Sequence, residues 1–245
     1  MKCLLLVIAI LAMNVQAQNV NIAIGDYAPY IDKSQANKGF LSEIVVQAFK
    51  NSGLKAVLEF KPWKRIEATE INENNLVSFA WIKTKERSTR WHYSDTIMST
   101  TTVFITAKDK GFKWKTLNDL KAFKIGVSRG YSYGNEFDAM RGKFKIQEAA
   151  SDEQNIKKLV SGRIDVFPID PFVGAQIIRD KLSAADAAKL KMVSEPNLGE
   201  DGMHAVCGKK NVQCLGILEK FNAGLAKMKA DGSLQAIITK ATALK

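Results

Sequence analysis

The sequence predicts an α/β protein with two lobes, each built around a parallel sheet, and one ligand cleft between them. Strands and helices alternate from residue 19 to residue 82, and the alternation starts again at residue 123. Such a repeat is typical of two α/β units. Polar and aromatic residues follow several of the strands, and open α/β sheets bind ligands at the carboxyl ends of their strands. Chain length agrees with this architecture, because about 230 residues suit one large domain or two modest ones.

The first seventeen residues, MKCLLLVIAILAMNVQA, have the layout of a secretory signal peptide. Lys2 precedes an apolar stretch, and small residues precede a predicted cleavage site after Ala17. A membrane anchor is the alternative, but the apolar stretch is shorter than the roughly 20 residues that cross a bilayer. We therefore expect an exported protein that begins at Gln18.

The formal net charge of +11 falls to +10 when Lys2 is removed with the leader. A basic balance favours acidic partners and raises nucleic acid as an alternative. The lysines are interleaved with acidic residues and form no run of five, which indicates solvated surfaces. We expect no nucleic-acid partner.

Two cysteines remain after the leader, Cys207 and Cys214 in VCGKKNVQC. In an exported protein such a pair predicts a disulfide. A metal or redox site is the alternative, but the spacing is not C-x-x-C and no ligand cluster lies nearby.

The first run of elements is predicted from periodicity and helix-ending signals. NVNIAI (19–24) is a strand, and GFLSEIVVQAFKNSG (39–53) is a helix that Gly53 ends. KAVLEF is the second strand, Pro62 opens a short helix, and NLVSFAWI is a buried strand.

The second run follows the same logic. FKIGVS (123–128), KFKIQEA and RIDVFPID are predicted strands, and the segments YSYGNEFDAMRG, SDEQNIKKLVSG and PFVGAQIIRDKL are predicted helices. Two strand-like segments, LKMVSE and MHAVCG, come next, and two helices at about 212–230 and 233–245 end the chain.

Seven segments in order carry a family resemblance: YAPY, GFLSEIVVQAF, FKPWKRI, KTKERSTRWHYSD, TLNDLKAFKIGVSRG, GRIDVFPID and MKADGSLQAI. Together they resemble the bacterial extracellular solute-binding proteins of family 3, the periplasmic amino-acid receptors of ABC importers. The resemblance implies a type II periplasmic-binding-protein-like fold, with residues 18–103 and 197–245 in lobe 1 and residues 104–196 in lobe 2. It also implies a periplasmic monomer without a cofactor, which captures a small-molecule ligand such as an amino acid and delivers it to an inner-membrane permease.

The resemblance assigns two charged anchors. Arg87 matches the arginine of the family's T-x-E-R segment, which implies that it binds the ligand's α-carboxylate, a task suited to a planar guanidinium. A solvated turn residue is the alternative. Asp170 matches the aspartate that takes the ligand's ammonium, although an aspartate directly before a helix is also a common N-cap.

Further residues are expected to line the cleft. Tyr27, Trp63 and Trp81 supply aromatic walls, although Trp81 lies in an apolar run that is equally typical of core. The loop of Gly130, Tyr131 and Ser132 matches the family loop whose hydroxyl and amide groups meet the carboxylate at a helix N-terminus.

The chain departs from the family pattern at several positions, which leaves the ligand open. Ile82 stands where amino-acid binders often have threonine, Tyr131 takes a usual threonine position, and His92 replaces an aspartate. The C-terminal helix lacks the tryptophan that is usual near its end.

An enzyme is the alternative class. GVSRG matches the G-x-S-x-G pattern between a predicted strand and a predicted helix, and Asp170 and His204 follow Ser128 in hydrolase order. No H-G-G-G oxyanion stretch accompanies it, and a short motif has many false matches. A dehydratase-like enzyme on the same two-lobed fold is a further alternative. We expect no catalytic residues, and no metal site, because His92 and His204 lack clustered partners.

Overall fold

The computed structural model describes residues 18–71 and 76–243. The predicted signal peptide lies outside these residues. The described residues form two separate sheets, one of six strands and one of five. Within the described ranges, none of the helices combines the length and the apolar character that crossing a bilayer requires.

Lobe 1 contains the six-stranded sheet and the helices that cover it. Its elements, in chain order, are β1 (Gln18–Ile24), α1 (Phe40–Asn51), β2 (Leu54–Phe60), α2 (Trp63–Arg65) with a π-helical continuation (Ile66–Glu70), β3 (Val77–Ile82), α3 (Lys85–Arg90), β4 (Trp91–Tyr93) and β5 (Met98–Thr101). The chain then crosses into lobe 2 and returns.

Lobe 2 contains the five-stranded sheet. Its elements are β6 (Val103–Ala107), two 3₁₀ turns (Lys108–Lys110 and Leu117–Ala122), β7 (Lys124–Ser128), α4 (Asn135–Met140) with a 3₁₀ turn (Arg141–Lys143), β8 (Lys145–Ala149), α5 (Asp152–Val160), β9 (Val166–Ile169), α6 (Pro171–Lys181), α7 (Ala184–Ala188) and β10 (Leu190–Val193). The chain returns to lobe 1 through β11 (Glu200–Gly208), α8 (Cys214–Ala230) and α9 (Ser233–Ala243).

Both sheets are mixed, so the prediction of parallel sheets holds for the pairs among β1, β2 and β3 and among β7, β8 and β9, but not for the remaining strands. The strand order in lobe 1 is β2-β1-β3-β11-β4, with β5 also paired to β11, and β11 runs antiparallel to its three neighbours. In lobe 2 the order is β10-β6-β9-β7-β8, and β6 runs antiparallel to both of its neighbours, β10 and β9. The mixed sheet of lobe 1 arises because the chain crosses into lobe 2 and then returns. On its return β11 enters the sheet in the direction opposite to β3.

The two crossing segments lie side by side. The amide of Leu198 donates to the carbonyl of Thr102 at 2.8 Å, and the amide of Thr102 donates to the carbonyl of Gly199 at 3.2 Å. Thr102 stands between β5 and β6 and therefore between the two sheets. The lobes are thus joined by two adjacent, hydrogen-bonded segments.

Helix α1 shows how periodicity produces the core of lobe 1. Its residues at positions 41, 44, 45, 48 and 49 are all fully buried, as the apolar spacing predicts for one face of a helix. The Phe49 ring packs against the Phe221 ring of α8 with centroids 5.0 Å apart. The C-terminal helices therefore belong to the core of lobe 1.

The predicted disulfide is confirmed. Cys207, in β11, is joined to Cys214 at the start of α8, and both residues are completely buried. The bridge therefore ties the last helices to the central sheet of lobe 1.

The helix predicted over residues 131–142 is shorter than expected. Helix α4 begins only at Asn135, because the carboxylate of Asp138 accepts hydrogen bonds from the Ser132 hydroxyl and the Tyr133 amide and fixes the preceding segment as a loop. Gly134, which precedes the helix, has a φ of 94°. The segment that faces the cleft is therefore a loop.

Candidate functional site

A cavity of about 70 Å³ lies between the lobes, at the carboxyl ends of strands from both sheets. The eight residues that the sequence predicted for the cleft all lie in its wall: Tyr27, Trp63, Trp81, Arg87, Gly130, Tyr131, Ser132 and Asp170. The fold brings these residues together from segments up to 143 positions apart, while their contact with a ligand stays a prediction.

Arg87 is buried, with 7% of its surface exposed, and is therefore not a solvated turn residue. Thr84 caps α3 by accepting a hydrogen bond from the Arg87 amide at 3.1 Å, which fixes where the side chain starts. The guanidinium donates from Nε to Glu67 at 2.9 Å and from Nη2 to the Gly130 carbonyl of lobe 2 at 3.1 Å. Its carbon lies 4.8 Å from the ring centroid of Trp81, in cation–π geometry.

Three tryptophans form a continuous wall beside Arg87. Trp63 packs edge-on against Trp81 with centroids 5.2 Å apart, and Trp81 packs against Trp91 at 5.0 Å. Gly25 permits this arrangement, because a Cβ atom there would lie 2.5 Å from the Trp63 ring. Trp81 is 3% exposed, so it is core and cavity wall at once.

Asp170 directly follows strand β9 and caps helix α6, so the N-cap alternative describes part of its role. Its Oδ1 accepts from the amides of Phe172 at 2.8 Å and Val173 at 3.1 Å. Its Oδ2 accepts from the hydroxyls of Tyr30, at 2.9 Å, and Thr100, both of which belong to lobe 1. Burial raises the pKa of this carboxyl above its ordinary value, and the hydrogen bonds oppose that rise.

The loop from Gly130 to Ser132 reaches the cavity from lobe 2. Gly130 has a φ of 83°, a left-handed conformation that glycine adopts readily. The ring of Tyr131 meets the ring of Tyr27 edge-on at 6.0 Å across the cleft. The hydroxyl of Ser132 already donates to Asp138, and α4 starts three residues after Ser132, so the loop precedes the helix N-terminus and does not form it as the resemblance implied.

Sequence reasoning missed several polar residues at the site, among them Thr100, Asp152 and Glu67. Thr100 and Asp152 line the cavity, and Glu67 binds Arg87. Asp152 follows strand β8 at its carboxyl end, so the same strand-end rule would have found it. Thr100 and Glu67 carry no such signal, because only the packing of the lobes brings them to the cleft.

Asp152 belongs to a buried polar cluster at the floor of the cavity in lobe 2. Its carboxylate accepts a hydrogen bond from the Ser128 hydroxyl, and Asn155 donates to the Ser128 oxygen at 3.2 Å. Burial raises the pKa of Asp152 to about 6, hydrogen bonding from Ser128 and Tyr131 opposes this rise, and the charge of Asp170 adds to it.

Ser128 and His204 are not arranged as the nucleophile and base of a serine hydrolase. Ser128 is 1% exposed, and its hydroxyl is bonded to Asp152 and Asn155. His204 instead uses Nδ1 to contact the Ser94 carbonyl at 2.8 Å and packs against the Tyr93 ring. Over residues 18–71 and 76–243, no group of three or more His, Cys, Asp or Glu side chains is arranged to hold a metal ion.

Comparison with known proteins finds matches among solute-binding proteins. The family model of the bacterial extracellular solute-binding proteins, family 3, matches residues 20–242. The arginine-binding periplasmic protein of Mannheimia haemolytica is 24% identical over 242 residues, which cover 98% of this chain and 97% of that protein. The L-cystine-binding protein TcyJ of Escherichia coli K12 is 23% identical over 222 residues, covering 88% and 79%.

A solved structure extends the likeness to the fold. An ancestral arginine-binding protein bound to arginine superposes with a TM-score of 0.73 at 22% identity, covering 91% of this chain and 97% of that one. The fold is that of the type II periplasmic binding proteins, as predicted.

Proposed function

The chain belongs to family 3 of the bacterial extracellular solute-binding proteins, and we propose that it captures an amino acid in the periplasm and delivers it to an ABC importer of the inner membrane. The relatives are binding proteins, which supports a receptor and not an enzyme. The protein acts as a monomer and leaves its ligand chemically unchanged.

The observation that carries this proposal is the charge arrangement of the cavity. Arg87 enters from lobe 1 and Asp170 from lobe 2, and both are almost completely buried. The guanidinium binds the α-carboxylate and the aspartate binds the α-ammonium of one amino acid. Because the anchors come from different lobes, such a ligand bridges the cleft.

Binding requires an exchange of partners at both anchors. The Nη2 group of Arg87 now donates to Gly130, and Oδ2 of Asp170 accepts from two neutral hydroxyls. Charge-assisted hydrogen bonds are roughly twice as strong as neutral ones. A ligand ammonium therefore replaces the Tyr30 hydroxyl at Asp170 with a net gain, and the ligand carboxylate competes in the same way for Nη2.

Closure of the lobes around the ligand is the signal that the permease recognises. The paired segments at Thr102 and Gly199 provide the hinge, since a few residues in connecting segments can absorb such a rotation. We assign residues 18–103 and 197–245 to lobe 1 and residues 104–196 to lobe 2, so the proposed boundary falls after Val103, the first residue of β6. These boundaries fall within two or three residues of the paired crossing segments.

A ligand screen tests the proposal directly. Each of the twenty amino acids is added to protein purified from the periplasm, and unfolding temperature and calorimetric affinity are measured. A ligand at 100 times its Kd should stabilise the fold by about 2.7 kcal/mol, a rise of several degrees for a chain of this size. Failure of every amino acid to shift the transition or to bind would overturn the proposal.

The role of Asp170 has its own control. Asp170→Asn keeps an oxygen acceptor for the α6 cap but removes the negative charge. The variant should weaken binding of the amino acid, and it should leave the affinity for the corresponding ligand without an α-amino group nearly unchanged. Equal losses for both ligands would contradict an ammonium contact.

A further inference from the structure

The cavity wall contains more negative charge than an ordinary zwitterion needs. Among the described residues that line the cavity, the charged ones are Arg87, Asp152 and Asp170. A zwitterion pairs with one cation and one carboxylate, so Arg87 and Asp170 satisfy it and Asp152 is left over. Glu67 moreover lies 2.9 Å from Arg87 and compensates part of its charge.

Among the described residues, Asp152 has no cationic partner. Over the described part of the chain, no lysine, arginine or histidine forms an ion pair with it, and its hydrogen-bonding partners are the hydroxyls of Ser128 and Tyr131. Only 7% of its surface is exposed. Hydroxyl groups satisfy the oxygens but do not neutralise the charge, and a buried carboxylate without a counter-charge is costly.

We infer that the ligand carries a second positive charge at the end of its side chain, as in a diamino acid or a guanidino amino acid, and that Asp152 selects this group. The inference rests on the proposed function, because it assumes that Arg87 and Asp170 hold the α-carboxylate and α-ammonium. The carboxylate of Asp152 pairs with the positive charge at the end of the ligand's side chain, and this charge is the counter-charge that Asp152 does not find within the described part of the protein.

The surroundings of Asp152 suit a cation. The rings of Tyr27 and Tyr131 line the same cavity and meet edge-on across the cleft. Aromatic faces attract ammonium and guanidinium groups and also bury the methylene groups that precede them. The raised pKa of Asp152 agrees with a buried carboxylate that has no cationic partner among the described residues.

Asp152 also has a structural role, which the test must separate from its role in ligand selection. It is the first residue of α5, after the Ser151 cap, and it anchors the end of β7 through Ser128. An asparagine oxygen accepts the same hydrogen bond from Ser128 without carrying charge. Asp152→Asn therefore removes the selecting charge and keeps the anchor.

The experiment compares ligands that differ in side-chain charge but hardly in shape. Calorimetric Kd values are measured at pH 7.5 for arginine against citrulline and for lysine against norleucine, on the full mature protein. The wild type should prefer the cationic member of at least one pair by about thirtyfold, which corresponds to one charge-assisted contact. Asp152→Asn should reduce that preference to about threefold or less while the Kd of the neutral member changes little.

Glu153→Gln is the matched control. Glu153 is the next residue on α5 and carries the same charge, but its side chain is 38% exposed and pairs with Lys157 at 2.5 Å. This variant should leave both affinities and their ratio at wild-type values. A loss of preference in Glu153→Gln as large as in Asp152→Asn would indicate general surface potential and overturn the assignment.

A second measurement needs no variant and covers the case that Asp152→Asn does not fold. The wild-type ratio of citrulline Kd to arginine Kd is measured at pH 7.5 and at pH 5. Protonation of Asp152, which faces Ser128, Tyr131 and Asp170, should collapse this ratio at pH 5. Titration of Asp170 cancels in the ratio, because both ligands share the same α-ammonium.

The outcomes separate the two proposals. If no α-amino acid binds, the proposed function fails and this inference fails with it. If amino acids bind but citrulline and norleucine match arginine and lysine, the inference alone is wrong. A cationic preference that survives in Asp152→Asn, or a ratio that is unchanged at pH 5, overturns the role of Asp152.

Discussion

Arg87→Ala is the sharpest test of how the cavity holds its ligand. The substitution removes a guanidinium that lies between Glu67 of lobe 1 and the Gly130 carbonyl of lobe 2. It leaves the backbone of α3 in place, because the cap from Thr84 binds the amide of residue 87 and not its side chain. The expected primary effect is therefore on ligand affinity.

The magnitude follows from the contact that is lost. One charge-assisted hydrogen-bonded pair contributes about 1.5–3 kcal/mol. The ligand carboxylate is then left in a buried cavity without its counter-charge, which adds to the loss. We expect a total of about 2–4 kcal/mol, or a Kd at least about thirtyfold higher.

The assay is isothermal titration of the wild type and of two variants with the amino acid found in the screen. Arg90→Ala is the control, because Arg90 lies on the same helix and has the same charge, while its side chain is 38% exposed and pairs with Glu86 at 3.5 Å and, at the longer distance of 3.9 Å, with Glu67. Surface pairs of this kind contribute little, so this Kd should stay close to that of the wild type. Equal losses in both variants would indicate general positive potential.

A second control isolates the ion pair inside lobe 1. Glu67→Gln keeps a hydrogen-bond acceptor for Nε of Arg87 but removes the competing charge. The affinity should change much less than in Arg87→Ala, because the guanidinium remains. If Arg87→Ala binds the amino acid within twofold of the wild type, the carboxylate role of Arg87 is refuted.

Three further predictions concern stability and processing. Replacing Cys207 and Cys214 together by serine opens an eight-residue loop and should lower the free energy of unfolding by about 2.5 kcal/mol; urea melts under non-reducing conditions check this, and an unchanged midpoint would contradict it. The pKa of Asp152 is raised to about 6 in the folded protein, so between about pH 4 and pH 6 the native state holds a proton that the unfolded chain has released, and stability falls as pH rises through this window. The Tm of Asp152→Asn, measured relative to the wild-type Tm, should therefore rise between pH 4 and pH 6 and stay constant above pH 6. A Tm difference that does not change with pH would argue against the raised pKa of Asp152. Intact mass of the periplasmic protein should correspond to a chain that begins at Gln18, and retention of the leader would rule out the predicted cleavage.

The order of elements was accessible from sequence because it depends on local periodicity. Helix α1 follows from apolar residues spaced for one face, and β9 follows from a short apolar run closed by Asp170 and the proline that opens α6. Strand direction was not accessible in the same way. The antiparallel course of β11 depends on where the chain returns from lobe 2, and no residue of β11 encodes that direction locally.

The same distinction applies to the candidate site. The sequence by itself determined that Arg87 and Asp170 stand at the ends of elements, and the resemblance to a family was enough to predict that both line the cavity. Only the tertiary structure decided what these groups touch, since Glu67, Thr100 and Tyr30 reach them through contacts between distant segments. Hydrogen bonds and charge compensation depend on distances of a few ångströms in three dimensions, whereas sequence patterns report only the spacing along the chain.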